Sequence, residues 1–284
     1  MVDSLPFEKW HGTGNDFVLA SHTVTQSFTQ DIERLAKALC DRHFGVGADG
    51  FITVGKSEKA KFRMRMWNPD GTESEMCGNG IRCVAAHLVM NGIADPSEPL
   101  PVETGKGIVN LDFPDPPDWI ADHEFWVRAD LGEPGKVGSS GIEEILEVPG
   151  VPPLKFTEVN LGNPHAVVFV DHLDTVPLEQ WGPLIENYTA RFPFRVNVEF
   201  AEVAGRDHVR MRVWERGAGI TLSCGSGTAA IQVAAHLTGR ADDRLIVDVP
   251  GGRLVTEYTE DGRVLLTGPA VRVFAGEWFG PESR

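Results

Sequence analysis

Residues 64–80 read MRMWNPDGTESEMCGNG and residues 211–227 read MRVWERGAGITLSCGSG. One offset of 147 residues carries Met64 to Met211, Arg65 to Arg212, Trp67 to Trp214, Cys77 to Cys224, Gly78 to Gly225 and Gly80 to Gly227. Upstream, Gly14-Asn15 and Gly162-Asn163 stand 148 apart; downstream, Gly92 and Gly239 return to 147. A single ungapped offset over so many distinctive side chains marks an internal duplication, and each copy is long enough to form one domain. The prolines of PDPPD, residues 114–118, interrupt helices and sheet ladders alike and suit a linker.

Working outward, Lys61 to Trp67 alternates charged with apolar side chains, as Val209 to Trp214 does; this is the period of a half-buried strand. Asn68-Pro69-Asp70-Gly71 is a turn. After each CGxG motif comes a helix-compatible run, Ile81–Asn91 and Thr228–Thr238, ending at the paired glycine where a helix C-cap is wanted. Thr29–Asp41 and Leu178–Tyr188 read as two more helices. Gly107–Phe113, His165–Val170, Val196–Val203, Leu254–Tyr258 and Val264–Thr267 read as strands. The fold class is α+β.

Composition removes several function classes. The chain has 284 residues and a formal net charge of −15, which argues against a nucleic-acid partner, since displacing counterions needs a basic footprint. No run approaches the roughly 18 apolar residues of a membrane helix. The N-terminal MVDSLPFEKWHGTGNDF has acidic residues and no apolar core, so no secretory signal is expected and a cytoplasmic location is. The four cysteines are too few for a disulfide scaffold and are not spaced as zinc ligands. No metal is expected.

Cys77 and Cys224 each fall at a strand–turn–helix junction. The first N–H groups of a helix lack internal partners and carry partial positive charge. A thiolate placed there is stabilised, and the backbone of Gly78-Asn79 or Gly225-Ser226 can cradle an anion. A carboxylate held between two such ends would have a thiol on each face of its α-carbon. One thiolate could withdraw the α-proton while the other thiol delivers one, inverting the centre without a cofactor. An unperturbed thiol, with a pKa near 8.5, is only a few per cent ionised at neutrality, so the site must hold one thiolate and one thiol. Cys40 and Cys83 lack repeat counterparts and read as small buried hydrophobes.

HGTGNDF, FGVGADG, WNPDGTESEMCGNGIRC, NLGNPH, RVNVEF and WERGAGITLSCGSGT occur in the order found in diaminopimelate epimerases. The resemblance spans residues 11 to about 230, and TGPAVRVFAGE near the C-terminus fits it too. It implies interconversion of LL- and meso-diaminopimelate for lysine and peptidoglycan precursors, without pyridoxal phosphate or metal. It also implies two pseudo-symmetric domains, each a strongly curved, barrel-like sheet around a central helix, with the active site in the interdomain cleft. The last strand is expected to return to the first domain, giving 1–118 plus about 270–284 and 119–269.

Carried over by position, Asn15, Asn68, Asn163 and Asn197 resemble substrate-binding amides and Gly78, Asn79, Gly225 and Ser226 the carboxylate cradle. Arg216 resembles the partner of the distal carboxylate, and Glu215 the group near the substrate ammonium. His165 and Glu215 are expected to tune the thiols. By their local context alone, Asn15, Asn68 and Asn163 also read as turn residues, His165 as structural, and Glu215 with Arg216 as a surface ion pair. An amide at Asn197 inside a buried strand is harder to explain without a purpose.

Three positions depart from the family pattern. Gly50 replaces a substrate-contacting glutamine of several members, Ile220 a frequent glutamate, and Phe274 a tyrosine linked to dimer formation; a homodimer is nonetheless an expectation. The nearest rival readings are a proline racemase or hydroxyproline epimerase, which need no distal-carboxylate group, and a phenazine-pathway isomerase, which lacks the paired cysteines. A third is a redox sensor in which the two thiols form a disulfide.

Overall fold

The structure, a computed structural model, describes residues 3–135 and 141–280. Residues 281–284, the end of the segment expected to return to the first domain, lie outside them. The chain forms two compact units, Met1–Ala129 with Gly268–Arg284, and Asp130–Thr267. PDPPD lies inside the first of these.

The first unit begins with β1 (Leu5–Gly12), β2 (Asn15–Ser21), α1 (His22–Phe28), α2 (Ile32–Cys40), β3 (Gly50–Lys56) and β4 (Phe62–Trp67). It continues with β5 (Glu73–Ser74), α3 (Gly78–Met90), β6 (Leu100–Thr104), β7 (Gly107–Asp112) and β8 (Phe125–Asp130). β1 and β2 form a hairpin, β2 runs parallel to β3, β3 antiparallel to β4, β4 parallel to β6, and β6–β7–β8 follow antiparallel.

The second unit repeats this wiring. Its elements are β9 (Glu144–Leu146), β10 (Leu154–Asn160), β11 (Pro164–Phe169), α4 (Leu178–Glu186), β12 (Asn197–Gly205), β13 (His208–Glu215) and β14 (Gly219–Ile220). They are followed by α5 (Gly225–Thr238), β15 (Arg244–Val249), β16 (Gly252–Tyr258) and β17 (Val264–Trp278). β10–β11 is the hairpin, β11 is parallel to β12, β12 antiparallel to β13, β13 parallel to β15, and β15–β16–β17 antiparallel. β17 is divided between the units: Val264–Thr267 pairs with β16, whereas Val271–Trp278 pairs with β1.

Each sheet curves about a helix that is buried nearly all round. In α5 every residue from Gly227 to Ala235 is buried, and the helix touches β10, β11, β12, β15 and β16. In α3 Asn79 to Ala86 are buried. A helix apolar on all faces belongs inside a core. The strand period then sorts the second sheet: Val167, Ala201, Met211 and Val213 face α5, whereas Ala166, Val168, Val198 and Phe200 pack with α4 residues such as Leu178 and Ile185. Gly239 closes α5 in the left-handed conformation with φ +65°, and Gly92 follows α3 with φ +66°.

Three boundaries differ from the sequence reading. The helix expected over Thr29–Asp41 begins at Ile32, where Asp31 caps it by accepting from the Arg34 N–H. A separate helix, His22–Phe28, precedes it; its polar sequence HTVTQSF hides the signal, since only Thr25 is buried. The last strand runs well past Thr267 because β1, distant in sequence, supplies its partner. Among the described residues no helix is long and apolar enough to cross a membrane.

Candidate active site

In the second unit, adjacent strands aim alternate side chains at the helix-covered face. His165 on β11 pairs in register with Asn197 on β12, and two residues further along β12, on the same face, lies Glu199. Glu215 ends β13 on the face of Met211 and Val213. All four therefore lie toward the N-terminus of α5, which Cys224 caps: its Sγ accepts the N–H of Gly227 at 3.4 Å.

The polar groups are linked in a chain. His165 Nδ1 is 2.7 Å from Glu199 Oε1 and its Nε2 3.0 Å from Asn163 Oδ1. Asn163 Nδ2 donates to Ser226 Oγ at 3.3 Å, and Ser226 Oγ lies 3.6 Å from the Cys224 sulfur. Glu215 accepts from the Thr221 hydroxyl and from the Cys224 thiol. Asn197 donates to the Pro164 carbonyl at 2.9 Å and accepts the backbone N–H of Arg216 at 2.9 Å, which explains the buried amide. Arg216 is exposed, with Nη1 on the Phe194 carbonyl. At Gly227 any Cβ would stand 2.7 Å from Glu199 Oε1, so the carboxylate approaches the helix only because the side chain there is hydrogen.

Burial, and after it the carboxylates of Glu215 and Glu199, push the Cys224 thiol well above its ordinary range; Ser226 and the Gly227 N–H oppose this. The sequence reading expected a lowered thiol at this helix end. The thiol is raised instead, because burial with two nearby acids outweighs a helix terminus carrying about half a charge. Burial also raises the Glu215 carboxyl, against its hydrogen bonds from Thr221 and Cys224.

The first unit builds the same frame with different contents. Cys77 caps α3, its Sγ accepting from the Gly80 N–H at 3.4 Å. Asn15 lies beside it, with Oδ1 3.7 Å from the sulfur and 3.2 Å from Asn79 Nδ2, while Asn15 Nδ2 donates to Asp49 at 2.8 Å. Asn68 spends its side-chain N–H on Thr72 Oγ1 at 3.0 Å and holds the 68–71 turn together. At Gly50 a Cβ would lie 2.7 Å from the Met66 methyl, so a larger residue would need that side chain to move. Ile220 is exposed on β14, and Phe274 packs edge-on against Phe7 at 5.9 Å.

The structure thus gathers Cys77, Asn15 and Asn79 in one unit, and Cys224, Ser226, Asn163, His165 and Glu215 in the other. Burial pushes Cys40 and Cys83 up to about 12, in keeping with inert core thiols. Sequence reasoning overlooked Glu199, Thr221, Asp49 and Arg82. For Glu199 the signal was its spacing of two from Asn197, which puts both on one strand face.

A sequence profile of the diaminopimelate epimerase family matches residues 7–136 and 157–273. The chain belongs to the diaminopimelate epimerase family. The diaminopimelate epimerase of Moorella thermoacetica is 44% identical over 284 residues, covering 96% of this chain and 98% of that one. The enzyme of the same name from Desulfitobacterium hafniense is 45% identical over 278 residues, covering 94% and 96%. A solved structure, a probable proline racemase from Agrobacterium radiobacter K84, shares the fold with a TM-score of 0.72 at 17% identity, covering 96% and 92%. Family membership and two cysteine-capped helices thus agree.

Proposed function

We propose that this isomerase interconverts LL- and meso-2,6-diaminopimelate without a cofactor, each of its two compact units acting as one epimerase domain and contributing one thiol. The observation that carries the reading is the duplicated cap: Cys77 and Cys224 each place sulfur at a helix N-terminus, 3.4 Å from the third helical N–H. One thiolate takes the α-proton and the other thiol returns a proton to the opposite face. The backbone of Gly78-Asn79 and Gly225-Ser226 receives the α-carboxylate, where donors oppose the charge that develops as the carbanion forms. Asn15, Asn68, Asn163 and Asn197 serve as binding amides. Arg216 suits the distal carboxylate, its guanidinium fork matching two oxygens. Glu215 meets the ammonium, and Glu215 with His165 tunes the thiols.

The reading places the enzyme in the cytoplasm, supplying lysine and cell-wall precursors. It includes a homodimer, for which the half-exposed Val273 and Phe274 on β17 offer apolar surface; sedimentation of the purified chain tests that part. The reaction is tested in D₂O under reducing conditions with LL-diaminopimelate, proline and glutamate as separate substrates. The expected result is meso-diaminopimelate carrying deuterium at the inverted carbon and no exchange into the other two. Exchange into proline with none into diaminopimelate would overturn it.

A further inference from the structure

The repeat is symmetric in wiring and asymmetric in charge. By the same offsets, Phe17, Gly50, Ile52 and Asn68 of the first unit stand where His165, Asn197, Glu199 and Glu215 stand in the second. On the helix the exchange runs the other way: Arg82 in α3 stands where α5 has Ala229. One unit therefore buries acids near its cysteine, and the other buries a cation.

Arg82 is fully buried at 0% exposure. Its guanidinium donates to the Gly78 carbonyl at 3.2 Å, and to Thr13 Oγ1 and Asn79 Oδ1, each at 3.0 Å. None of these acceptors is charged, and Nε has no partner among the described residues. Gly12 makes room, since a Cβ there would meet Arg82 Nη2 at 3.1 Å. A buried cation with no counter-charge is strongly unfavourable, so it calls for an anion.

The surrounding acids are already taken. α3 packs on β1 and β2. On β1, Glu8 accepts from His87 and Trp10 and lies near Arg272; Lys9 pairs with Asp16, and His11 receives the Gly14 N–H. On β2, Asp16 is also held by Arg42, which takes Asp49 too. Glu73 pairs with Arg65, and Glu75 is exposed. Within α3, Cys83 is kept neutral by burial. What remains is the sulfur of Cys77, linked to Arg82 through Asn79: Oδ1 of Asn79 takes the guanidinium, and its Nδ2 points to Asn15 beside Cys77.

We propose that Arg82 is a positioning residue whose counter-ion is the Cys77 thiolate, so that Cys77 carries the resting negative charge and Cys224 the resting proton. The inference rests on the reading of these two cysteines as the proton-transferring pair. The Asn15 carbonyl oxygen opposes a negative sulfur, but it is a partial charge 3.7 Å away and already engaged by Asn79, whereas the guanidinium carries a full one. In the second unit Glu199 and Glu215 act in the opposite sense on Cys224. During turnover the proton taken from the α-carbon ends on Cys77 and the Cys224 proton ends on the substrate. Rest is restored when Cys77 loses its proton to water and Cys224 regains one.

The test is the pH dependence of iodoacetamide alkylation in the reduced, substrate-free full chain, read separately at each cysteine by peptide mass spectrometry. In the wild type the Cys77 midpoint is expected below that of a free thiol, about 8.5, and the Cys224 midpoint above it. Arg82→Gln should raise the Cys77 midpoint by roughly one to three pH units and leave Cys224 unmoved; Arg82→Lys, which keeps the charge, should restore it. A wild-type Cys77 midpoint at or above that of Cys224, or no shift in Arg82→Gln, overturns the inference. If Arg82→Gln does not fold, the wild-type comparison alone decides. Absence of α-deuterium exchange in the wild type would sink the epimerase reading without moving the Cys77 midpoint, so the two failures are distinguishable.

Discussion

His165 Nδ1 and Glu199 Oε1 meet at 2.7 Å across adjacent parallel strands, and neither side chain reaches solvent. Removing one member of a buried, hydrogen-bonded pair strands the other. Glu199→Ala is therefore expected to destabilise the protein by about 3–5 kcal/mol, and Glu199→Gln, which keeps a hydrogen-bonding oxygen, by less. Urea unfolding measures both. Stability within 0.5 kcal/mol of wild type for Glu199→Ala, a change of the size seen at ordinary surface sites, would refute the structural weight given to the pair.

Cys77→Ser and Cys224→Ser should each lower kcat by about 10²–10⁴-fold, the usual worth of a positioned acid or base, while leaving the unfolding midpoint unchanged. A hydroxyl of similar size preserves the cap but is too weak an acid to exchange the proton. Near-normal epimerisation by either purified variant would remove that cysteine from the mechanism.

Arg216 reaches its place through its own backbone, whose N–H rests on Asn197 Oδ1 at 2.9 Å. Arg216→Lys replaces a planar fork with a point charge, and KM for diaminopimelate should rise about tenfold, equivalent to about 1.4 kcal/mol of binding. Asn197→Ala, which frees that N–H, should raise KM in the same direction. Unchanged KM and kcat in both would count against the assignment.

Glu215 gives a pH signature. Burial raises its carboxyl above the ordinary 4.5, although Thr221 and Cys224 donate to it. A carboxyl raised in the native state holds its proton more tightly folded than unfolded. Its contribution thus favours folding below the ordinary value and is lost as pH climbs through the raised one. Glu215→Gln, neutral throughout, should be more stable than wild type at about pH 7 and indistinguishable from it at about pH 4. Equal stability at both values would contradict the raised carboxyl. Activity should fall even where stability rises, since the residue meets the substrate ammonium in the proposed reaction.

The duplication was legible because it rests on residues whose type is dictated locally. The Met-Arg-Trp strands, the cysteine caps and the glycines after each helix all follow from short-range periodicity and turn chemistry. The extension of β17 to Trp278 was not, because its partner β1 lies at the far end of the chain. Nor was the polar helix His22–Phe28, which lacks a side-chain cap hydrogen bond. Arg82 and Glu199 escaped for a related reason. A charged letter in a sequence reads as surface until the packing around it is known, and only the comparison of repeats, Arg82 against Ala229 and Ile52 against Glu199, hints that these are hidden.

The division of β17 has a consequence for how the protein is made. Residues that complete the first unit leave the ribosome only after the whole of the second has been synthesised. Until then β1 offers an unpaired edge, the kind of surface on which nascent chains associate wrongly. The N-terminal copy, although translated first, must therefore wait for its sibling before it can close, and a chain that stalled near Thr267 would leave an open sheet for chaperones to guard.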